Sequence, residues 1–192
     1  MKPIDIIVIG CSLGGMRALS IILGALPADF APPIAVVQHR HKASNEGLPT
    51  YFRTQTKLPV VDADDKLFIR PGHIYLAPAD YHLLIEQGTF DLSVDAAVSH
   101  SRPSVDVLFE SAADAYRAGV VGVVLTGANA DGARGAVRIK QYGGMVIVQE
   151  PATAEAPDMP QAAIDAVRVD RILPLDRIGP FLVELWRQSQ HT

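Results

Sequence analysis

The chain has 192 residues, 48% apolar and 20% charged, with 17 basic against 21 acidic side chains and a formal net charge of −4. A chain of this length buries roughly 70% of its unfolded surface without disulfide or metal, and the composition is that of one globular domain over residues 1–192. The lone Cys11 excludes a disulfide framework and a thiolate zinc site, the lack of a Lys/Arg block argues against nucleic acid, and with no signal-peptide core or membrane-length apolar run the expectation is a cytoplasmic protein with no metal, no cofactor and no membrane insertion.

Ile4 to Ile9 is an apolar run broken only by Asp5 and ended by Gly10. That is the pattern of a strand buried on both faces. Apolar residues at helical spacing follow (Ala18, Leu19, Ile22, Leu26) and stop at Pro27. Residues 34–37 predict a second buried strand, 48–56 a short helix and 60–61 a third strand. This is the βαβ rhythm of a parallel sheet. Short apolar runs at 73–77, 81–85 and 90–94, separated by turn residues, predict a β-hairpin inserted in that frame. Pro103 suits the first turn of a helix reaching about Arg117. A strand over 120–125, a helix over 133–142 ended by Gly143-Gly144 and a strand over 145–148 come next. Residues 151–160 read as a proline-rich loop and 161–167 as a short helix. Ile178, Phe181, Leu182, Leu185 and Trp186 mark an amphipathic terminal helix. The expected fold is α/β: a doubly wound, mostly parallel sheet with an inserted hairpin and helices on both faces.

Ligands bind at the carboxyl ends of the strands in such sheets. The first run leads into Gly10-Cys11-Ser12-Leu13-Gly14-Gly15, the second into Gln38-His39-Arg40-His41, and the run at 120–125 into Thr126-Gly127-Ala128-Asn129-Ala130-Asp131-Gly132. A serine, a histidine and an aspartate therefore leave three strands at one end, which is what serine hydrolysis requires. Each residue also has a bland reading. Ser12 matches the G-x-S-x-G turn of a nucleophile but equally suits a helix cap on a phosphate-binding turn. His39 and His41 both suit a base, or a pair of exposed loop histidines. Asp131 suits the N-cap of the helix that follows. His100, Arg102, His73 and His82 read as loop or hairpin surface. Cys11 should point away from Ser12 and pack as a small apolar residue.

Taken together, the segments resemble the catalytic domain of the CheB-type chemotaxis receptor methylesterases. The matching stretches are Val8-Ile9-Gly10-Cys11-Ser12-Leu13-Gly14-Gly15, Val36-Val37-Gln38-His39, Pro71-Gly72-His73-Ile74-Tyr75-Leu76-Ala77-Pro78-Ala79-Asp80, Arg102-Pro103-Ser104-Val105-Asp106-Val107-Leu108-Phe109, Val121-Gly122-Val123-Val124-Leu125-Thr126-Gly127 with Asp131-Gly132-Ala133, and Met159-Pro160-Gln161-Ala162-Ala163-Ile164. They fall in one order over nearly the whole chain. The resemblance implies an esterase that hydrolyses γ-glutamyl methyl esters on receptor signalling helices, with deamidation of receptor glutamines in some members. It implies Ser12 as nucleophile, His39 rather than His41 as base and Asp131 as orienting acid. Backbone N–H groups of Leu13 and Ala128 would hold the oxyanion, and His100, Arg102 and Met159 would line the cleft. A methylated receptor or scaffold is the implied substrate partner. The pattern departs at Leu13 (Thr is usual), at Gly127-Ala128-Asn129 (Gly-Met-Gly), at Asp158 (Gly) and at Arg40-His41 (Met-Pro). Since the first strand starts near residue 4, no receiver domain is expected in the chain: either a separate receiver-domain partner regulates it, or the domain is unregulated, or it serves a system other than chemotaxis. The alternative is a catalytically weak binding or regulatory module with the same fold.

Overall fold

The computed structural model describes residues 3–40 and 47–190, and His41 lies outside them. Seven strands form one sheet in the order β3-β4-β2-β1-β7-β8-β9, and every pairing in it is parallel. Strand β1 (Ile6–Cys11) is central and fully buried, between β2 (Ile34–Gln38) and β7 (Val120–Val124). Its side chains alternate. Ile7, Ile9 and Cys11 pack with Leu19, Ile22 and Leu182, which belong to α1 (Gly15–Gly24) and α6 (Leu175–Ser189). Ile6 and Val8 pack on the other face with Leu108, Phe109, Ala136 and Ala163 of α3 (Val105–Tyr116), α4 (Ala133–Gln141) and α5 (Asp158–Ala166). Two apolar layers thus sandwich the sheet, so central strands read as continuous apolar runs.

From β1 the chain winds outward through β2 and α2 (Leu48–Arg53) to β3 (Val60–Asp62) and β4 (Ile74–Leu76). It then crosses back to β7, β8 (Met145–Gln149) and β9 (Arg171–Leu173) on the other side of β1. The winding reverses at β1, and a crevice opens there at the carboxyl ends of β1, β2 and β7.

The expected α/β architecture is present, with three corrections. The run at 73–77 is not part of the hairpin: Ile74–Leu76 enters the parallel sheet between β3 and β2. The hairpin is β5 (His82–Glu86) with β6 (Thr89–Ser93), docked on α3 through Ser111 Oγ to the Ile85 N–H (3.0 Å) and Tyr116 Oη to the Gly88 N–H (2.9 Å). Helix α5 begins at Asp158, inside the stretch expected as loop. Strand β9 carries no apolar pattern because it is a short edge strand with Arg171 and Ile172 exposed.

Candidate active site

Ser12, His39 and Asp131 follow β1, β2 and β7 at the crevice. Glycine at position 14 shapes the first turn. It has φ +79 and is the N-cap of α1, with no side-chain cap, and a Cβ there would meet Glu155 and Thr126. Ser12 is therefore not the helix cap. Its carbonyl accepts from the Gly15 N–H (2.9 Å), while its hydroxyl has no hydrogen-bond partner among the described residues. Ser12 and His39 line one depression together with Glu155 and Arg17. Gln38 holds the two backbones together, its Nε2 donating to the carbonyls of Ser12 and His39 at 2.9 Å each.

His39 Nε2 lies 2.7 Å from Asp131 Oδ2, with the His39 side chain 10% exposed and that of Asp131 0%. Asp131 does not cap α4, whose N-cap is Gly132 without a side-chain bond. It caps α3 instead. Its carboxylate accepts from the N–H groups of Val105 (2.7 Å) and Asp106 (3.0 Å) and from Ser104 Oγ (2.8 Å). Asp106 returns the arrangement, since its Oδ1 accepts from the N–H groups of Gly132 (2.9 Å) and Gly135 (2.8 Å) at the start of α4. Two buried carboxylates thus exchange helices, each satisfying the other helix's free N–H groups.

The exchange pushes the two acids apart. Burial raises the Asp131 carboxyl, but the His39 hydrogen bond and the N–H groups of Asp106 and Val105 outweigh it, so the group sits below the usual carboxylate range. Burial likewise raises Asp106, and the Gly135 N–H offsets only part of this while the Asp131 charge adds to it, so Asp106 sits above the usual range. An ionised Asp131 can only accept, so the proton on its contact belongs to His39 Nε2. The other ring nitrogen, Nδ1, is then the bare one in the neutral ring. It faces Ser101 Oγ and Asn129 Nδ2, each at 3.4 Å.

Around this core the remaining residues divide. Leu13 is 55% exposed, and its N–H and that of Ala128 have no acceptor among the described residues. Gly127 packs against Ser12 and Met159, where a Cβ would lie 2.0 Å from Met159 Sδ and 2.9 Å from Ser12 Cβ. Met159 is fully buried and packs behind Gly127. His100, Arg102 and Ser101 share a second hollow with His39. Arg102 is committed there: Nε and Nη2 donate to Asp80 Oδ1, and Nη1 to the carbonyls of Val94 and Asp95. His82 is buried, not on the hairpin surface, and its Nδ1 accepts from the Ser104 N–H (3.2 Å). Cys11 packs away from the site, near Gln38 Oε1 (3.1 Å), and burial pushes its thiol far up. Sequence reasoning gave no role to Ser101, Ser104, Asp106 or Asn129. Ser104 and Asp106 lie within the matching segment that starts at Arg102, Ser101 lies just before it, and Asn129 stands out only as a departure from the pattern. Among the described residues no cluster of three or more His, Cys, Asp or Glu could hold a metal, and no helix is long and apolar enough to cross a membrane.

The profile of the CheB methylesterase family matches residues 7–182. The chain belongs to the CheB methylesterase family. Family members are carboxylic ester hydrolases. A Leptospira interrogans protein, provisionally named a protein-glutamate methylesterase/protein-glutamine glutaminase, is 45% identical over 185 residues, covering 94% of each chain. The Anaeromyxobacter dehalogenans protein-glutamate methylesterase/protein-glutamine glutaminase 2 is 42% identical over 184 residues, which are 96% of this chain but 54% of the relative. The crystal structure of the Thermotoga maritima CheB methylesterase catalytic domain superposes with a TM-score of 0.90 at 35% identity, over 96% of this chain and 100% of that one.

Proposed function

We propose that the chain removes methyl esters from glutamate side chains of chemoreceptor-type proteins, and converts the corresponding glutamine amides, with Ser12 as nucleophile, His39 as base and Asp131 as the acid that orients it. The observation that carries this reading is the 2.7 Å contact of His39 Nε2 with the buried Asp131 beside a serine whose hydroxyl has no structural partner among the described residues.

In this mechanism Ser12 Oγ attacks the ester carbonyl and its proton passes to His39 Nδ1. The tetrahedral oxyanion is held by the N–H groups of Leu13 and Ala128, each contributing about 3–4 kcal/mol when well placed. Asp131 keeps the Nε2–H tautomer and stabilises the imidazolium. Collapse breaks the ester C–O bond, and the His39 proton leaves on methanol. Water then attacks the acyl–Ser12 ester with His39 as base, releasing glutamate and restoring the serine. Arg102, through Asp80, holds the rim beside His100. The relatives' names denote esterases, so a binding module with this fold is not favoured.

The test is intact-mass measurement after a fluorophosphonate, beside Ser12→Ala and His39→Ala, followed by methanol release from methylated receptor. Rapid single labelling lost in both variants, and methanol release lost in Ser12→Ala, are expected. Methanol release that persists in Ser12→Ala overturns the assignment.

A further inference from the structure

The β7–α4 loop carries Asn129, two residues before Asp131. Its Oδ1 accepts from the Asp131 N–H at 3.0 Å. That bond fixes which way the amide faces, because a flipped amide would set its NH2 group against the Asp131 N–H, donor to donor. The Nδ2 end is thereby aimed at His39 Nδ1, 3.4 Å away.

His39 Nε2 is committed to Asp131, so Nδ1 is the nitrogen that must receive the Ser12 proton. While it is bare, Nδ1 accepts from the Asn129 amide. Once it holds a proton it becomes a donor facing another donor. Ser101 Oγ, also 3.4 Å from Nδ1, has no such conflict: a hydroxyl turns to donate to the bare nitrogen or to accept from the protonated one.

The geometry points to Asn129 as a positioning residue that steadies the neutral His39 ring from its Nδ1 side and opposes premature protonation, while Ser101 follows the proton in either state. This rests on the reading of His39 as the base. The effect extends the enzyme's working range towards acid pH, at the cost of competition with Ser12 for the same lone pair.

Other charged groups also face His39. They are Asp131 from the β7–α4 loop, Arg17 from the start of α1, Glu155 from the segment before α5, and Arg40 next in the chain. His100 and the Arg102–Asp80 pair face it across the second hollow, and Tyr51 of α2 across a third. All remain in every variant below, so differences between variants report the residue changed.

The experiment uses the full chain and measures the fluorophosphonate labelling rate of Ser12 between about pH 5 and 9. In Asn129→Ala the acid limb should move up by about half a unit, the worth of one weak hydrogen bond to one protonation state. In Asn129→Asp it should move up by about a unit or more, because a carboxylate accepts from the protonated Nδ1 and adds a charge. This variant keeps an acceptor for the Asp131 N–H and so guards against a mere loss of loop structure. Ser101→Ala should move the limb less than Asn129→Ala does. A limb unmoved in both Asn129 variants overturns the inference, as does a loss equal at every pH, which would make the amide an oxyanion donor or a loop brace. The His39 imidazole resonance, titrated by NMR in Ser12→Ala with and without Asn129→Ala and identified from a His39→Gln spectrum, decides the point without turnover. An upward displacement of its midpoint supports the inference even if no variant labels, in which case it is the esterase reading that fails. An unmoved midpoint overturns it.

Discussion

The three residues at the crevice differ in how much else they do. The Ser12 hydroxyl has no hydrogen-bond partner among the described residues, so Ser12→Ala should leave folding stability within about 0.5 kcal/mol while abolishing labelling. Urea melts beside the labelling assay check both. Asp131 is the opposite. Its carboxylate serves His39, two N–H groups and one hydroxyl. Asp131→Asn should lower turnover by about 10⁴-fold by losing the fixed tautomer, and should also cost about 1–3 kcal/mol of stability at neutral pH. The glycine-rich turn alone leaves Ser12 even between nucleophile and cap, and only the family resemblance favours the nucleophile. The structure removes the cap, because Gly14 occupies that position. For Asp131 the local argument chose the wrong helix: proximity suggested α4, and the carboxylate reaches α3 across 25 or more positions of sequence. No local pattern encodes that contact.

At the scale of elements, α3 and α4 are joined by exchanged caps. Asp106 supplies one oxygen to both Gly132 and Gly135. An amide at that position keeps the same acceptor and relieves a buried charge whose ionisation burial opposes. Asp106→Asn should therefore be neutral to mildly stabilising at neutral pH, whereas Asp106→Ala should cost about 1–3 kcal/mol by leaving two N–H groups unsatisfied. Chemical denaturation of the two variants separates charge from acceptor. If both lose stability equally, the ionised form is what α4 needs. The strands buried on both faces were legible because their apolar runs are continuous. Strand β9 was not, since an exposed edge strand needs no such run, and the run at 73–77 was misplaced because a three-residue strand looks the same in a hairpin as in a parallel sheet.

For the molecule as a whole, the two acids give opposite pH signatures. Asp131 has a folded value below its unfolded one, so its contribution is present above the unfolded value, near 4, and is lost as pH falls through the folded value. Asp106 has a folded value above its unfolded one, so its ionisation costs stability, and that cost fades as pH falls through the folded value. The stability gap between wild type and Asp131→Asn should therefore shrink as pH drops below about 4, and the gap between Asp106→Asn and wild type should shrink as well. Stability curves at pH 7 and pH 3 test both. A gap for Asp131→Asn that is constant with pH would mean its role is steric. The single Trp186, packed edge-on to Phe30 at 5.2 Å, reports the docking of α6 in the same melts.

The exchanged caps also bear on how relatives of this chain can be sorted. A descendant that had lost its chemistry would still be stabilised by Asp131, because without it the N–H groups of Val105 and Asp106 at the start of α3 would lose their acceptor. Persistence of that aspartate is therefore poor testimony of activity. The serine hydroxyl, which the scaffold does not use, is free to drift once selection for turnover lifts. Among chains of this fold, an intact aspartate beside a replaced serine would mark an abandoned enzyme whose architecture has outlived its reaction.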